Sequence, residues 1–409
     1  MRITGVVEGF YGAPWSHQQR LDWIDRLHRW GMTHYVWAAK EEPRHRDDWR
    51  EPFTDAELDG FAELAGHRTG VDLAVGLTPG PEATAEDVMA KLGPAVDAGA
   101  AVVVLSCDDL PALDAGGDHR DLAHALADRL GCTVWIVPTH YCGVDDSPYL
   151  RSLCNGLDPA IEVMWTGRHV VNARIHASEA ARWAELTGRP PLVWDNAPVN
   201  DGLMREALHL GPLTGRDPAL RDVCAGVLWN PMEFALASVA TMASAAAWVR
   251  GDDPVAAWAD EVAARGWAQL AAATAFPDDA HWPGTNPDRA WWRAMHDGLP
   301  ERAVDAGLDE SVQPWIDAAR EGAAIALAAI ALADRIHERG ADTGATLRQF
   351  GLTGRWRDWR RNPVLTFGAG PRVRPVLTQD QRGEFVGDPA AFVLDDPIVD
   401  DLVRRALPS

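Results

Sequence analysis

A chain of 409 residues exceeds what one hydrophobic core usually covers, and 47% hydrophobic with 24% charged residues is the composition of a folded protein with a sizeable core. A formal charge of -22 excludes an electrostatic grip on nucleic acid or an anionic membrane surface, because neutralising phosphates needs clustered Lys and Arg. The five cysteines (Cys107, Cys132, Cys142, Cys154, Cys224) are odd in number and lack CxxC spacing, which argues against a disulfide framework or a zinc site and for buried free thiols.

The chain runs from Met1 and Arg2 straight into the strand-like Ile3-Thr4-Gly5-Val6-Val7, without the apolar core and small-residue cleavage site of a secretory signal, so a cytoplasmic protein is expected. From there to residue 250, short β-branched runs alternate with longer amphipathic segments. The expected strands are 3–10, 33–39, 71–77, 101–107, 133–139, 161–167, 190–196 and 225–231, and their near-continuous apolar runs suit parallel strands buried on both faces. Helical segments lie between them. The first, Ser16 to Trp30, has Ser16 as cap, Leu21, Ile24 and Leu27 on one face, and Gly31 at its end. Others are expected at 55–68, 84–98, 119–130, 148–156, 178–187, 203–209 and 234–249. Eight βα repeats in about 250 residues match an α/β fold of the (β/α)8 TIM barrel type. An open doubly wound sheet competes less well, since no GxGxxG follows the first strand.

After Gly251-Asp252-Asp253-Pro254 the strand signal ends and Ala/Trp-rich helical patterns take over. The expected organisation is a catalytic barrel over 1–250, a smaller α-helical domain over 251–350, and a C-terminal tail over 351–409 of unassigned structure, helix-like only at 397–406. The Ala-rich stretch Ala323 to Ala333 is too short to span a bilayer.

Active sites of such barrels sit at the carboxyl ends of the strands, and the polar residues there form a set. Strand one ends in Glu8-Gly9-Phe10-Tyr11-Gly12, strand two in Lys40-Glu41-Glu42, and strand four in Asp108-Asp109. Strand five leads to Tyr141, strand six to Trp165-Thr166, strand seven to Trp194-Asp195-Asn196 and Asn200-Asp201, and strand eight to Asn230. Each alone has an ordinary explanation as a helix cap, an ion pair or a turn. Together they suit a hydroxylated ligand, and the 19 tryptophans add flat rings of the kind that lie on sugar faces, although part of them serve packing. Two carboxyl groups held close cannot ionise equally, a split that supplies one proton donor and one anion. Neighbours inside a strand face opposite sides, so Asp109 must lie beyond the last ladder pair, where the backbone turns.

The blocks EGFYGAPWS (Glu8 to Ser16), WAAKEEPRHRDDWREPF (Trp37 to Phe53), LSCDDL (Leu105 to Leu110), PTHYCG (Pro138 to Gly143), WTG (Trp165 to Gly167), WDNAPVND (Trp194 to Asp201) and LWNPMEF (Leu228 to Phe234) occur in this order. They resemble glycoside hydrolase family 84, the family of O-GlcNAcases and bacterial β-N-acetylglucosaminidases. The resemblance covers about residues 3 to 250 and implies a retaining hydrolysis of terminal β-linked GlcNAc in which the substrate's own acetamido oxygen is the nucleophile and an oxazoline the intermediate. It implies that Asp108 orients the acetamido N–H and that Asp109 is general acid and then base. It further assigns substrate contacts to Gly9, Lys40, Tyr141, Trp165, Thr166, Trp194, Asn196, Asp201 and Asn230, with no cofactor and no metal. Glu41-Glu42 stands where relatives usually carry Asp-Asp, which lengthens two arms beside Lys40. A homodimer is what relatives associating through their helical regions would imply. The competing readings are a catalytically silent GlcNAc-binding protein, an endo-acting hyaluronidase-like hydrolase, which the acidic balance disfavours, and a metal-dependent barrel hydrolase, which would carry paired His ligands.

Overall fold

The computed structural model describes residues 1–109, 115–275, 279, 282–284, 287–368, 370–372, 377–387, 393–395 and 398–407. Eight parallel strands close a barrel in chain order: β1 Ile3–Glu8, β2 His34–Trp37, β3 Asp72–Leu77, β4 Val102–Ser106, β5 Thr133–Val137, β6 Glu162–Trp165, β7 Leu192–Asp195 and β8 Gly226–Trp229, with β8 returning to β1 through Ile3 opposite Gly226. The TIM barrel expected from the repeat is the fold. The strands are shorter than their apolar runs at the carboxyl end. Residues such as 9–10, 38–39, 166–167 and 230–231 leave the ladder and become the loops that carry the polar groups.

Around the barrel lie α1 His17–Trp30, α2 Asp55–His67, α3 Ala85–Asp97, α4 Gly116–Leu130, α5 Pro148–Cys154, α6 Ala177–Thr187, α7 Leu220–Val223 and α8 Val239–Arg250. Local chemistry sets several starts. Ser16, Thr54 and Thr84 each accept from the backbone N–H three residues on, while the side chain at that position reaches back, forming capping boxes. Gly31 closes α1 in the left-handed conformation. The helix expected at 203–209 is not formed. A single 3-10 turn, Gly202–Met204, stands there, and the seventh helix is α7 further on. The reason is tertiary: Leu208 and Leu210 are buried in a second apolar cluster outside the barrel, and an irregular loop puts both into it.

Alternation along the strands sorts side chains into two layers. Val7, Val36, Ala38, Val102, Val104, Val137, Met164, Leu192, Trp194 and Leu228 fill the barrel interior. Val6, Tyr35, Trp37, Val103, Leu105, Val163, Trp165, Val193 and Trp229 face the helices. Beyond α8 follow α9 Pro254–Arg265, α10 Ala268–Thr274, α11 Arg289–Gly298, the long α12 Gln313–Arg339 and α13 Thr343–Trp359. They pack around Trp267, Trp292, Trp315 and Leu332, and this cluster extends to Met232 and Phe234 after β8. Helix α13 crosses the boundary expected at 350/351. The last stretch adds β9 Gly370–Arg372, β10 Leu377–Gln379, β11 Phe385–Gly387, β12 Val393–Asp395 and α14 Ile398–Ala406, paired as β10 with β11 and β9 with β12. Helix α14 sits where the tail reads as helix-like. Among the described residues no helix is long and apolar enough to cross a membrane.

Glu8, at the end of β1, is fully buried on the outer side. Arg20 of α1 donates to both its oxygens at 2.9 Å, the Trp15 N–H adds a third bond at 3.0 Å, and the Tyr35 hydroxyl donates as well. Burial pushes the Tyr35 hydroxyl pKa well up, with the Glu8 charge adding to it. Replacing Arg20 by Leu strands a buried carboxylate, and the expected loss is about 3–5 kcal/mol of stability in chemical denaturation. A loss under about 1 kcal/mol would show that the Glu8 pair does not hold α1 to the barrel.

Candidate active site

The inward-facing positions just past the strand ends converge on one cavity of about 530 Å³. Gly9 follows β1, Lys40 β2, Asp108 β4, Thr166 β6, Asn196 β7 and Asn230 β8. Trp194 comes from within β7, and Tyr141 and Asp201 come from loops. Val137, Val170, Val171 and Val199 supply its apolar wall.

Strand β4 ends at Ser106, Cys107 still bonds to Val137 O at 2.8 Å, and Asp108 keeps the inward parity of Val102 and Val104. Strict alternation would send Asp109 outward. Instead its backbone is left-handed, with φ 54°, a conformation that Asp tolerates better than most residues. The turn brings both carboxyl groups to the cavity, as the sequence requires of a working pair.

The two carboxyl groups are held differently. Lys40 Nζ donates to Asp108 Oδ2 at 2.6 Å, and this ion pair is almost wholly buried. The other oxygen, Oδ1, is buried and has no hydrogen-bond partner among the described residues. Asp109 sits between two tyrosines: Tyr11 donates to Oδ2 at 2.8 Å and Tyr141 to Oδ1 at 3.1 Å. Burial and then the Asp109 charge push both hydroxyl pKa values well up, so both remain donors at neutral pH. Arg46 in turn donates to the Tyr11 hydroxyl.

The far wall is an amide network. Asn196 Oδ1 accepts from Trp194 Nε1 at 3.0 Å and from Asn230 Nδ2 at 2.9 Å, while its Nδ2 donates to Val170 O at 2.8 Å. The Gly9 N–H reaches Asn230 Oδ1 at 3.3 Å. A Cβ on Gly9 would lie 2.3 Å from the Trp194 ring, so only glycine lets the indole lie flat against this end of β1. Asp201 Oδ2 accepts the Tyr11 N–H at 2.8 Å.

Ten of the eleven residues singled out from sequence therefore line one cavity. Trp165 does not. It is fully buried on the helix side of β6, stacked on Trp183 with ring centroids 5.7 Å apart and donating to Gly143 O at 2.9 Å. Its neighbour Thr166 faces inward, and adjacent strand residues cannot both do so. Glu8 and Asp195 are likewise outward, Asp195 being clamped by Arg216 at 2.6 and 2.7 Å. Glu42 accepts from Arg20 at 3.3 Å and Glu41 is exposed, so neither lines the cavity. Tyr11 is the group that was not singled out. It lies in the same EGFYG block, two residues after Gly9, and only the turn at Asp109 shows which carboxylate it serves. A neighbouring cavity of about 710 Å³ shares Val171, Asn196 and Val199 but contains neither aspartate.

The model of the family described as beta-N-acetylglucosaminidase matches residues 4–277, about two thirds of the chain, including every residue of the cavity. The chain belongs to this β-N-acetylglucosaminidase family. It is 32% identical over 255 residues to the protein O-GlcNAcases of Rattus norvegicus and Mus musculus, a match covering 56% of this chain and 28% of each relative's length. A mutant of the Thermobaculum terrenum O-GlcNAc hydrolase has a similar fold, with a TM-score of 0.78 at 23% identity over 90% of this chain and 92% of the other. A protein designated CpGH84B gives 0.74 at 20% identity over 99% of this chain and 77% of the other.

Burial raises the Asp201 carboxyl pKa, the Tyr11 N–H pulls it back, and the Asp109 charge adds to the rise. A carboxylate whose pKa is raised on folding opposes folding once ionised, and that penalty fades as pH falls towards the usual aspartate range. Asp201→Asn should therefore melt roughly 2 °C above the unaltered protein at pH 7, with the gain shrinking towards pH 4. A variant that melts lower at pH 7 would contradict this electrostatic description.

Proposed function

We propose that the chain is a retaining β-N-acetylglucosaminidase that removes terminal β-linked GlcNAc by substrate-assisted catalysis. The observation that carries this reading is the divided carboxylate of Asp108: one oxygen neutralised by Lys40, the other buried at the cavity without a partner. A buried acceptor left unmade costs roughly 1–3 kcal/mol, and an amide N–H of the substrate would satisfy it. Family membership and the adjacent Asp109 support the same chemistry.

In this mechanism the acetamido carbonyl oxygen attacks the anomeric carbon while the bond to the aglycone oxygen breaks. Protonated Asp109 gives that oxygen its proton, and Asp108 holds the acetamido N–H, stabilising the positive charge that grows there. The Tyr11 and Tyr141 hydroxyls then stabilise the Asp109 carboxylate left behind. Water next adds to the anomeric carbon, its proton passes to Asp109, and the ring C–O bond of the oxazoline breaks to restore the amide. Two inversions give retention. A nucleophile held within the substrate also gains the entropic advantage of an intramolecular reaction.

The remaining cavity groups fit the sugar. Trp194 and Gly9 form a flat wall, Asp201 offers a carboxylate for ring hydroxyls, and Lys40, Tyr141, Thr166, Asn196 and Asn230 complete the polar lining. Unpaired cysteines suit a reducing compartment, which supports work in the cytoplasm.

The decisive comparison is an aryl β-N-acetylglucosaminide against the matching glucoside. Turnover should be confined to the N-acetyl sugar, and comparable cleavage of both would remove the case for participation. Asp109→Asn should slow substrates with poor leaving groups by about 10²–10⁴-fold and activated aryl glycosides much less. Equal losses across leaving groups would deny Asp109 the role of acid.

A further inference from the structure

The C-terminal tail takes part in this end of the barrel. Gln379, on β10, inserts its amide into the loop after β5. Its Oε1 accepts from Tyr141 N at 3.0 Å and from Cys142 N at 3.3 Å, and its Nε2 donates to Thr139 O at 2.8 Å. The same strand bonds the loop after β6, where Val170 N donates to Leu377 O at 2.8 Å and Thr378 Oγ1 donates to Arg168 O at 3.2 Å. A hairpin with three residues per strand has no stability of its own, so these bonds to the barrel loops fix where it lies. Both loops line the cavity, with Tyr141 in one case and Thr166 and Val170 in the other.

Phe385, on β11, is the direct partner of Gln379 across the hairpin, so both side chains share one face. That face puts the Phe385 ring 6.1 Å from the Tyr141 ring at 55°. Phe385 nonetheless stays 47% exposed, and its neighbour Val386 49%. Phe385 is not part of the sugar cavity. It packs on the ring of Tyr141, whose hydroxyl meets Asp109. On the other flank of Asp109, Tyr11 is also exposed, with the Arg46 guanidinium 5.7 Å from its ring centroid. Of the two tyrosines that donate to Asp109, one is thus exposed itself and the other carries an exposed ring.

We infer that the β10–β11 hairpin is the leaving-group wall of this site. Phe385 seats an aglycone that carries an apolar or aromatic group next to the glycosidic oxygen, and Gln379 is a positioning residue that ties the seat to the Tyr141 loop. The inference rests on the proposed role of Asp109 and adds the class of aglycone to it. An exposed ring already packed at a tilt against a second ring presents an apolar surface at little further entropic cost, which is how aromatic side chains recognise apolar partners.

The test is the ratio of kcat/KM for 4-methylumbelliferyl to methyl β-N-acetylglucosaminide, because intrinsic leaving-group reactivity cancels when a variant is compared with the unaltered enzyme. Phe385→Ala should lower the ratio about five-fold, mainly through KM of the aryl substrate. Gln379→Ala should lower it similarly and also reduce kcat on both substrates, with part of the kcat restored in Gln379→Glu, which keeps the acceptor for the Tyr141 and Cys142 N–H groups. Phe350→Ala, a change at an exposed ring on α13, serves as the control. An unchanged ratio in Phe385→Ala, or an equal fall on both substrates, overturns the inference, as does a control that shifts the ratio as much. An unaltered enzyme inactive on both substrates would instead overturn the proposed function.

Discussion

The left-handed backbone at Asp109 is the constraint on which the site depends. A parallel strand presents its side chains alternately to the barrel interior and to the helices, so two consecutive carboxylates cannot normally serve one cavity. One residue with φ 54° at the point where β4 leaves the ladder removes that restriction. The conformation costs a non-glycine residue roughly 1–2 kcal/mol, less for Asp, and the two tyrosyl hydroxyls that grip Asp109 help offset it. Lys40 does the corresponding work for Asp108, whose charge would otherwise lie uncompensated in the barrel mouth.

The same alternation divides the polar strand ends into cavity lining and scaffolding. Inward positions, Lys40, Asp108, Thr166, Asn196 and Asn230, open onto the cavity. Outward ones, Glu8 and Asp195, are buried and closed by Arg20 and Arg216 through paired hydrogen bonds. The outward pairs fix the strand ends against α1 and the loop before α7, and this rigidity lets the inward groups keep their geometry on short loops. Neighbours such as Asp195 and Asn196 thus have unrelated tasks, and parity separates them.

Parity also explains what was legible in the sequence. Eight apolar runs separated by capped amphipathic segments identify the barrel, because each βα unit obeys its local period and its local caps. Most of the cavity residues could be found because they lie at or shortly after the strand ends. Trp165 could not be separated from Thr166 by type alone, since a strand-end Trp before a polar residue suits either layer until the layer is known. The 203–209 segment has helical composition, yet tertiary burial of Leu208 and Leu210 overrides it. The tail was opaque for a stronger reason. Gln379 meets Tyr141 from 238 positions away, through a side-chain amide and backbone groups that leave no periodic trace.

Three carboxylates at the cavity share one energetic property: each carries a feature that opposes folding. Asp108 keeps a buried oxygen unpartnered, Asp201 holds a carboxylate that burial disfavours, and Asp109 occupies a strained region of backbone. Such features persist only where the surroundings over-determine them, and here the barrel core, the outward ion pairs and the docked hairpin do so. A ligand presenting an amide N–H to Asp108 and hydroxyls to Asp201 would relieve two of these tensions together. Relief of tension already stored in the free protein is a source of binding that a relaxed pocket lacks, and it favours a ligand with both groups over one with hydroxyls alone. Under the proposed function, selectivity for the N-acetyl sugar follows from the Asp108 oxygen that no group among the described residues pairs.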